Sequence, residues 1–384
     1  MPGSAPQPLP GDDARPGVFG SHAVDELPRV VRELGLDSLL LVTGRSSFVA
    51  SGAADVLPEL RAAATVHTWS DFSPNPRVED LAAGAEMMRS VRPAGIVAIG
   101  GGSVLDMAKL LAVLGDLDAD QIPEAVRSNA VTARSRPLVL VPTTSGSGSE
   151  ATHFAVAYIG PDKYSVAHPA LLPDFVILDP VLTESAGSYQ KATSVIDAIA
   201  QAVESQWARG ASDDSRGFSR AALQDLVAAA PAFVAGDTEA AVPAARGSHL
   251  AGRAIDLSKT TGAHALAYGL THRHGISHGH AVATTLGAFA RFHGAAAAHG
   301  QGHESLARDL DVIAGLIGAE HAQGVGDRLD AIAGQLGLEL RLSALGVPRS
   351  DLEIMARSVN RERLGNNPAE LSERDLSELL ESCW

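Results

Sequence analysis

Cysteine is nearly absent from this chain of 384 residues: Cys383, next to the C-terminus, is the only one. Neither a disulfide framework nor a thiolate metal cluster can be built from it, so a reducing, cytoplasmic compartment is expected. Positive charge is also in short supply, with 30 Lys and Arg against 45 Asp and Glu and a formal net charge of −15. That balance gives no electrostatic footprint for nucleic acid or an anionic membrane, although a local basic pocket can still take a small anion. No long apolar run suggests a membrane span. Residues 1–15, MPGSAPQPLPGDDAR, lack both the basic start and the apolar stretch of a signal peptide. They are predicted to be a disordered Pro/Gly tail.

The residues that are present argue for two domains. At this length, with 45% hydrophobic residues, two ordinary cores are the better expectation. In the first half, short β-rich runs (SLLLVT 38–43, ATVHTW 64–69, GIVAIG 95–100, PLVLVP 137–142, FVILDP 175–180) alternate with helical patterns such as VEDLAAGAEMMRSV, 78–91. The alternation predicts an α/β domain over 16–180, a parallel sheet with flanking helices. From about residue 190 the β-rich runs stop, and Ala- and Leu-rich segments with helical spacing predict an all-α domain over 181–384. No internal repeat of fixed period is visible.

Two loops in the first half suit a nucleotide. In GIVAIGGGSVLDMAK a strand is followed by Gly100, Gly101 and Gly102, and Ser103 opens a helix whose N–H groups and dipole favour an anion. A tight turn with no ligand is an equal reading of that loop alone. PTTSGSGSEAT, 142–152, ends a second strand in small hydroxyl and glycine residues, among them Thr143, Thr144 and Ser147, and together the loops imply a nucleotide cofactor. Neither is a G-x-G-x-x-G or Walker loop. Lys163 is assigned to the same site. In LVTGRSSF, 41–48, Gly44 stands where an acid would hold the ribose 2′-OH of NAD(H), followed by Arg45 and Ser46. That combination favours NADP(H) over NAD(H); an ordinary polar loop is the alternative.

Histidine is concentrated in one place. GAHALAYGLTHRHGISHGH, 262–280, holds five of the fourteen, and no helix or loop can aim them all at one centre. A selection rule comes from resemblance. GGGSVLDMAK, PTTSGSGSEAT, LLPDFVILDP, an Asp-centred helix at 197, His264 with His278-Gly279, and NNPAELSERDL together resemble the iron-containing, group III alcohol dehydrogenase family over nearly the whole chain. The resemblance implies the dehydroquinate synthase-like fold, with a dinucleotide-binding α/β domain, a helical domain, and a divalent metal, Fe(II) or Zn(II), between them. It implies the metal ligands Asp197, position 201, His264 and His278, and the i, i+4 spacing lets the first two share an ion. Position 201 is Gln, a neutral and weaker donor than imidazole. Where the family commonly relays a proton through His, this chain has Tyr268. His272, His274 and His280 remain as relay candidates beside structural readings, and His280, two residues after a ligand, leads them. The resemblance places Asp106 near the nicotinamide, against a reading as an acid favoured by the helix dipole. For Lys109, buried structural and cofactor-linked roles stand equal.

The expected reaction is NAD(P)H-dependent, metal-assisted reduction of a small aldehyde. A general short-chain alcohol dehydrogenase, a non-redox enzyme of the dehydroquinate synthase type, and a cofactor-binding protein without catalysis are the alternatives. DAIAQAVESQWA, KYSVAHPALLPDFVILDP, AGRAIDLSKTTGAHALAYGLT and GISHGHAVATTL look like the phosphonoacetaldehyde reductase branch, in which Gln and Tyr replace the two His. That implies an anionic substrate, with Arg253 and Lys259 as its clamp and Thr260 and Thr261 as extra donors. A solvated helix end is the alternative reading of these residues. A homodimer is expected.

Overall fold

The computed structural model describes residues 6–11, 15–359 and 361–384. The chain divides into two units, Met1–Ala186 and Gly187–Trp384.

The first unit carries the strands β1 (Gln7–Pro8), β2 (Gly17–Phe19), β3 (Ser38–Thr43), β4 (Thr65–Trp69), β5 (Gly95–Gly100), β6 (Leu138–Pro142), β7 (Phe154–Ile159), β8 (Asp162–Ala167) and β9 (Phe175–Leu178). Its helices are α1 (Leu27–Glu33), α2 (Ser47–Ala50), α3 (Leu57–Ala63), α4 (Val78–Val91), α5 (Gly102–Leu114) and α6 (Ile122–Ser128). Seven strands form one sheet in the order β1-β2-β9-β6-β5-β3-β4, parallel throughout except β1 on β2. Period-2 alternation sends the apolar residues of β3 to both faces. Leu40 and Val42 pack with Leu81, Met88, Leu105 and Leu111 of α4 and α5, while Leu39 and Leu41 pack with Leu27, Val30 and Leu60 of α1 and α3. This is the α/β class that the alternating runs predict.

Topology marks the ligand end. The chain passes from β3 out to the edge strand β4 and returns to β5 on the other side of β3, so strand order reverses between β3 and β5. Doubly wound sheets bind ligands at the carboxyl ends of the strands at such a reversal. Both the 44–46 loop and the triple glycine leave the sheet there.

Two features lie outside the sequence reading. β7 and β8 form an antiparallel hairpin apart from the main sheet, turning through Gly160 at φ +56°. Of the expected disordered tail, residues 1–5 and 12–14 lie outside the described residues, and Gln7–Pro8 form the edge strand, paired with β2.

The second unit is helical among its described residues, with α7 (Ser188–Trp207), α8 (Asp213–Ala235), α9 (Ala241–Ser258), α10 (Gly262–His274), α11 (His278–Ala298), α12 (Leu306–Ile317), α13 (Val325–Gln335), α14 (Ser350–Ser358), α15 (Arg361–Gly365) and α16 (Glu373–Cys383). From Lys191 to Trp207 every residue of α7 is buried. This is the burial of a central helix, and α8, α9 and α11 pack around it. No helix among the described residues is long and apolar enough to cross a membrane.

Candidate metal centre and dinucleotide loops

In the first unit the two small-residue loops touch. A Cβ on Gly102 would lie 2.9 Å from Cβ and Oγ of Ser147, and one on Gly100 would lie 2.6 Å from the Val104 side chain. Packing therefore requires glycine at 100 and 102, and at 102 it sets the second loop against the start of α5. No side chain caps α5, and Gly101 precedes its first N–H groups in extended conformation. Thr143 is tied back to the sheet by its N–H to the Gly100 carbonyl, 3.0 Å, with Thr144 beside it half-buried. The Ser145 hydroxyl is buried without a hydrogen-bond partner. An uncapped helix start beside an orphaned hydroxyl fits the phosphates and sugar of a dinucleotide. Ser103, assigned to that cradle, accepts from the Asn75 N–H at 3.1 Å.

Arg45 is already engaged. Its Nε donates to the Ser70 carbonyl at 3.2 Å and its other end pairs with Asp71, just beyond β4. The pair is exposed, at 67% and 87%, so it holds Arg45 only weakly against a competing anion.

Asp106 accepts from Ser149 Oγ at 2.5 Å and from the Val156 N–H at 3.0 Å. Burial raises its pKa, against the charges of Lys109 and Lys163 and these hydrogen bonds. Lys109 is wholly buried, and its ammonium donates to the carbonyls of Ser149 (2.8 Å), Thr152 (2.7 Å) and Phe154 (2.5 Å). Both side chains thus stitch α5 to the second loop and to β7.

The second unit brings together the candidate metal donors. On α7, Asp197, Gln201 and Glu204 share a face by their i, i+4, i+7 spacing. His264 lies in the first turn of α10, and His278 opens α11. Gly279 explains how α11 comes so near α7: a Cβ there would sit 1.9 Å from the Thr193 carbonyl oxygen and 2.9 Å from Asp197 Cβ. One donor atom from each of Asp197, His264 and His278 falls within 4.8 Å of the others.

The donor set fits a divalent ion. His264 Nε2 stands 3.3 Å from Asp197 Oδ1, yet both atoms are buried without a hydrogen bond. Two donors about 2.1 Å from a tetrahedral ion stand about 3.4 Å apart, so the pair has the spacing of co-ligands. Gln201 Nε2 lies 3.4 Å from Asp197 Oδ2. A half-turn of the amide exchanges that nitrogen for its oxygen, giving a neutral donor on the Asp197 face. Behind the ligands, Glu204 accepts from His264 Nδ1 at 2.5 Å. Burial drives His264 toward neutrality, but the Glu204 and Asp197 carboxylates outweigh it and raise its pKa to about 10. The two carboxylates thus favour the imidazolium form of His264, and a divalent ion bound here would take the place of its Nε2 proton.

The ring of Tyr268 stacks on that of His278, with centroids 5.9 Å apart and planes 13° apart. His280 meets the expectation of a relay less well. Tyr189 Oη lies 3.0 Å from its Nδ1 and the Glu339 carbonyl 2.7 Å from its Nε2, so both nitrogens are occupied in tying α11 to its neighbours. His272 is exposed, and His274 Nε2 faces Asp351 at 3.4 Å. The Arg253 guanidinium lies over the Phe218 ring, 4.9 Å from its centroid, and Lys259 is exposed, ending α9 at φ +61° and ψ 171°. Of the extra donors expected there, the Thr261 hydroxyl donates to Glu204 at 2.7 Å and Thr260 Oγ1 accepts from Arg363 at 2.9 Å.

Sequence reasoning missed Glu204 and the two asparagines of NNP. Asn366 Nδ2 donates to the carbonyls of Ser258 and Thr260, and Asn367 Oδ1 accepts from the Gly262 N–H. Helical spacing from Asp197 points to Glu204; nothing in the sequence pairs 366–367 with 258–262.

The family model described as iron-containing alcohol dehydrogenase matches residues 15–180, and that of the Fe-containing alcohol dehydrogenase family, C-terminal, matches 191–384. Long-chain-alcohol dehydrogenase 1 of Geobacillus thermodenitrificans is 30% identical over 95% of this chain and 94% of its own length. Phosphonoacetaldehyde reductase of Streptomyces viridochromogenes is 34% identical over 79% of each chain. Among solved structures, sulfoacetaldehyde reductase from Bifidobacterium kashiwanohense in complex with NAD+ superposes with a TM-score of 0.87 at 27% identity, covering 98% of this chain and 99% of that one.

Proposed function

Because the chain belongs to the iron-containing alcohol dehydrogenase family, we propose that it reduces a small anionic aldehyde, phosphonoacetaldehyde foremost, to 2-hydroxyethylphosphonate. Membership makes it an oxidoreductase of the alcohol dehydrogenase and aldehyde reductase kind, using NAD(P) and a divalent metal. One observation carries the narrower reading: Gln201 beside Asp197, and Tyr268 stacked on His278, are the two replacements by which the chain resembles the phosphonoacetaldehyde reductase branch. The relative of that name and the neighbour named for sulfoacetaldehyde support it, since both names describe a two-carbon aldehyde bearing an oxyanion.

Asp197, His264 and His278 would hold the ion, with Gln201 as a weaker fourth donor. Bound there, the ion supplies Lewis acidity to a carbonyl oxygen, and a reduced nicotinamide supplies hydride. Tyr268 donates the proton that completes the alcohol and regains it from solvent. Lys259 attracts the phosphonate, whereas Arg253 is committed to Phe218. Gly44, Arg45 and Ser46 accept NADPH at least as well as NADH.

The test is Lys259→Met, assayed on phosphonoacetaldehyde and on propanal. A hydrogen bond to a charged group is worth roughly 1.5–3 kcal/mol, so kcat/KM should fall about 10- to 150-fold for the anionic aldehyde and little for propanal. A parallel fall in both, or a wild-type preference for propanal, overturns the reading in favour of a general short-chain alcohol dehydrogenase.

A further inference from the structure

We infer that Glu204 is the positioning residue of the metal centre: its carboxylate fixes the proton of His264 on Nδ1, leaving Nε2 open to the ion, and in the same act caps the helix that carries His264. The inference rests on the metal site proposed above.

Four donors converge on this one buried side chain. Oε1 accepts from Thr261 Oγ1 at 2.7 Å and from the Ala263 N–H at 2.9 Å, and Oε2 accepts from the Thr261 N–H at 3.1 Å and from His264 Nδ1 at 2.5 Å. Thr261 is the N-cap residue of α10 but makes no side-chain cap of its own. The capping charge comes instead from α7, where a carboxylate at a helix N-terminus is favoured by both orphan N–H groups and dipole. Asp197 and Glu204 lie two helical turns apart, so one face of α7 supplies a ligand and the orienter of a second ligand. Around them Trp207 Nε1 donates to Thr261 Oγ1 at 3.1 Å, and Asn367 Oδ1 receives the Gly262 N–H at 3.1 Å. The turn before His264 is thereby held from several sides.

A carboxylate is the only side chain of this size that accepts at both ends. In Glu204→Gln, one end becomes an NH2 group facing donors. With that NH2 toward His264, the imidazole must accept at Nδ1 and carry its proton on Nε2, where it blocks the ion. With the NH2 toward Thr261 and Ala263, two buried donors of α10 lose their acceptor. The first orientation blocks the ion; in the second the acceptor left to His264 is a neutral carbonyl in place of a carboxylate, which lowers the basicity of Nε2, and neither restores four acceptances.

The experiment measures dissociation constants for Zn(II) by chelator competition in wild type, His264→Ala, Glu204→Gln and Thr261→Val, with the unfolding temperature of each metal-free protein alongside. Loss of an outer hydrogen-bond partner commonly costs 10- to 100-fold in metal affinity, and that loss is expected for Glu204→Gln. Thr261→Val disturbs the cap but keeps the Glu204–His264 bond, so its affinity should stay within about threefold of wild type even if its unfolding temperature falls as far. A cap without a role at the metal would make affinity follow unfolding temperature across both variants, which overturns the inference. Wild-type binding that is indifferent to His264→Ala overturns the metal site itself, a separate failure. A measurement that needs no variant is the nitrogen-15 spectrum of the Zn(II)-loaded wild type. His264 protonated at Nδ1 supports the inference, and protonation at Nε2 refutes it.

Discussion

Lys109→Met offers a direct measurement of what holds α5 to the second dinucleotide loop. The ammonium is wholly buried, with carbonyl acceptors at Ser149, Thr152 and Phe154 and the Thr152 hydroxyl at 3.1 Å. Methionine fills most of the volume but donates nothing, so three carbonyls and the countercharge to Asp106 are lost together. Each buried acceptor left without its donor costs about 1–3 kcal/mol, and with the lost countercharge the total is expected at about 3–5 kcal/mol. In a domain of this size each kcal/mol moves Tm by about 2–4 °C, so the first unit should unfold about 6–20 °C lower. Calorimetry on metal-free protein, with hydrogen exchange of the β7 amides to assign the transition, reads the effect. Asp106→Asn added to Lys109→Met removes the stranded carboxylate, and the double variant should be less destabilised than the two single losses added together. A loss below about 1 kcal/mol would refute the structural account. Weakened dinucleotide binding at unchanged stability would instead make Lys109 a cofactor residue.

Two further outcomes follow from pairs and burial. If Arg45 takes the 2′-phosphate as proposed, Asp71 competes for it, so Asp71→Asn should raise the NADPH to NADH ratio of kcat/KM and Arg45→Ala should lower it; movement of both in one direction would remove Arg45 from cofactor choice. His293 is enclosed by Trp207, Phe289 and Phe292, and burial pushes its pKa down to about 3. Between that value and about 6.5 the unfolded chain binds the proton and the folded chain does not, so stability is full above pH 6.5 and falls as pH drops. At pH 5 the loss is roughly 2 kcal/mol, and in metal-free His293→Leu the acid-side slope should be shallower by up to one proton; equal slopes would contradict the assignment.

What was legible in the sequence was whatever repeats at short range. Strand runs, helix periods and the glycine loop each declare themselves within a few residues, and the structure places β3, β5, β6, α4 and α5 where those patterns stand. The β7–β8 hairpin escaped because its second strand, DKYSVA, is half polar, which leaves FAVAYI without a recognisable partner in the sequence. Arg45 looked open in sequence because its partner Asp71 is 26 residues away on the next strand's end. His280 looked available for the same reason: Tyr189 and Glu339, which occupy its nitrogens, lie 91 and 59 residues distant.

Glu204 is the most instructive case, because its position was readable and its function was not. Two turns of α7 place it under Asp197, but a buried carboxylate on a helix face has no meaning until its donors are known. Those donors come from Thr261, Ala263 and His264, 57 to 60 residues later. A carboxylate with no exposure would be strongly disfavoured without them, since desolvation alone raises its pKa. Here burial does push Glu204 upward, yet the charge and hydrogen bond of His264 and the two hydrogen bonds of Thr261 outweigh it, and its pKa lies below the usual carboxylate value. The same convergence that makes the burial tolerable also fixes the ligand. Stability of the α10 start and geometry of the proposed metal centre therefore share one side chain, and exchange of Glu204 for an apolar residue should weaken both.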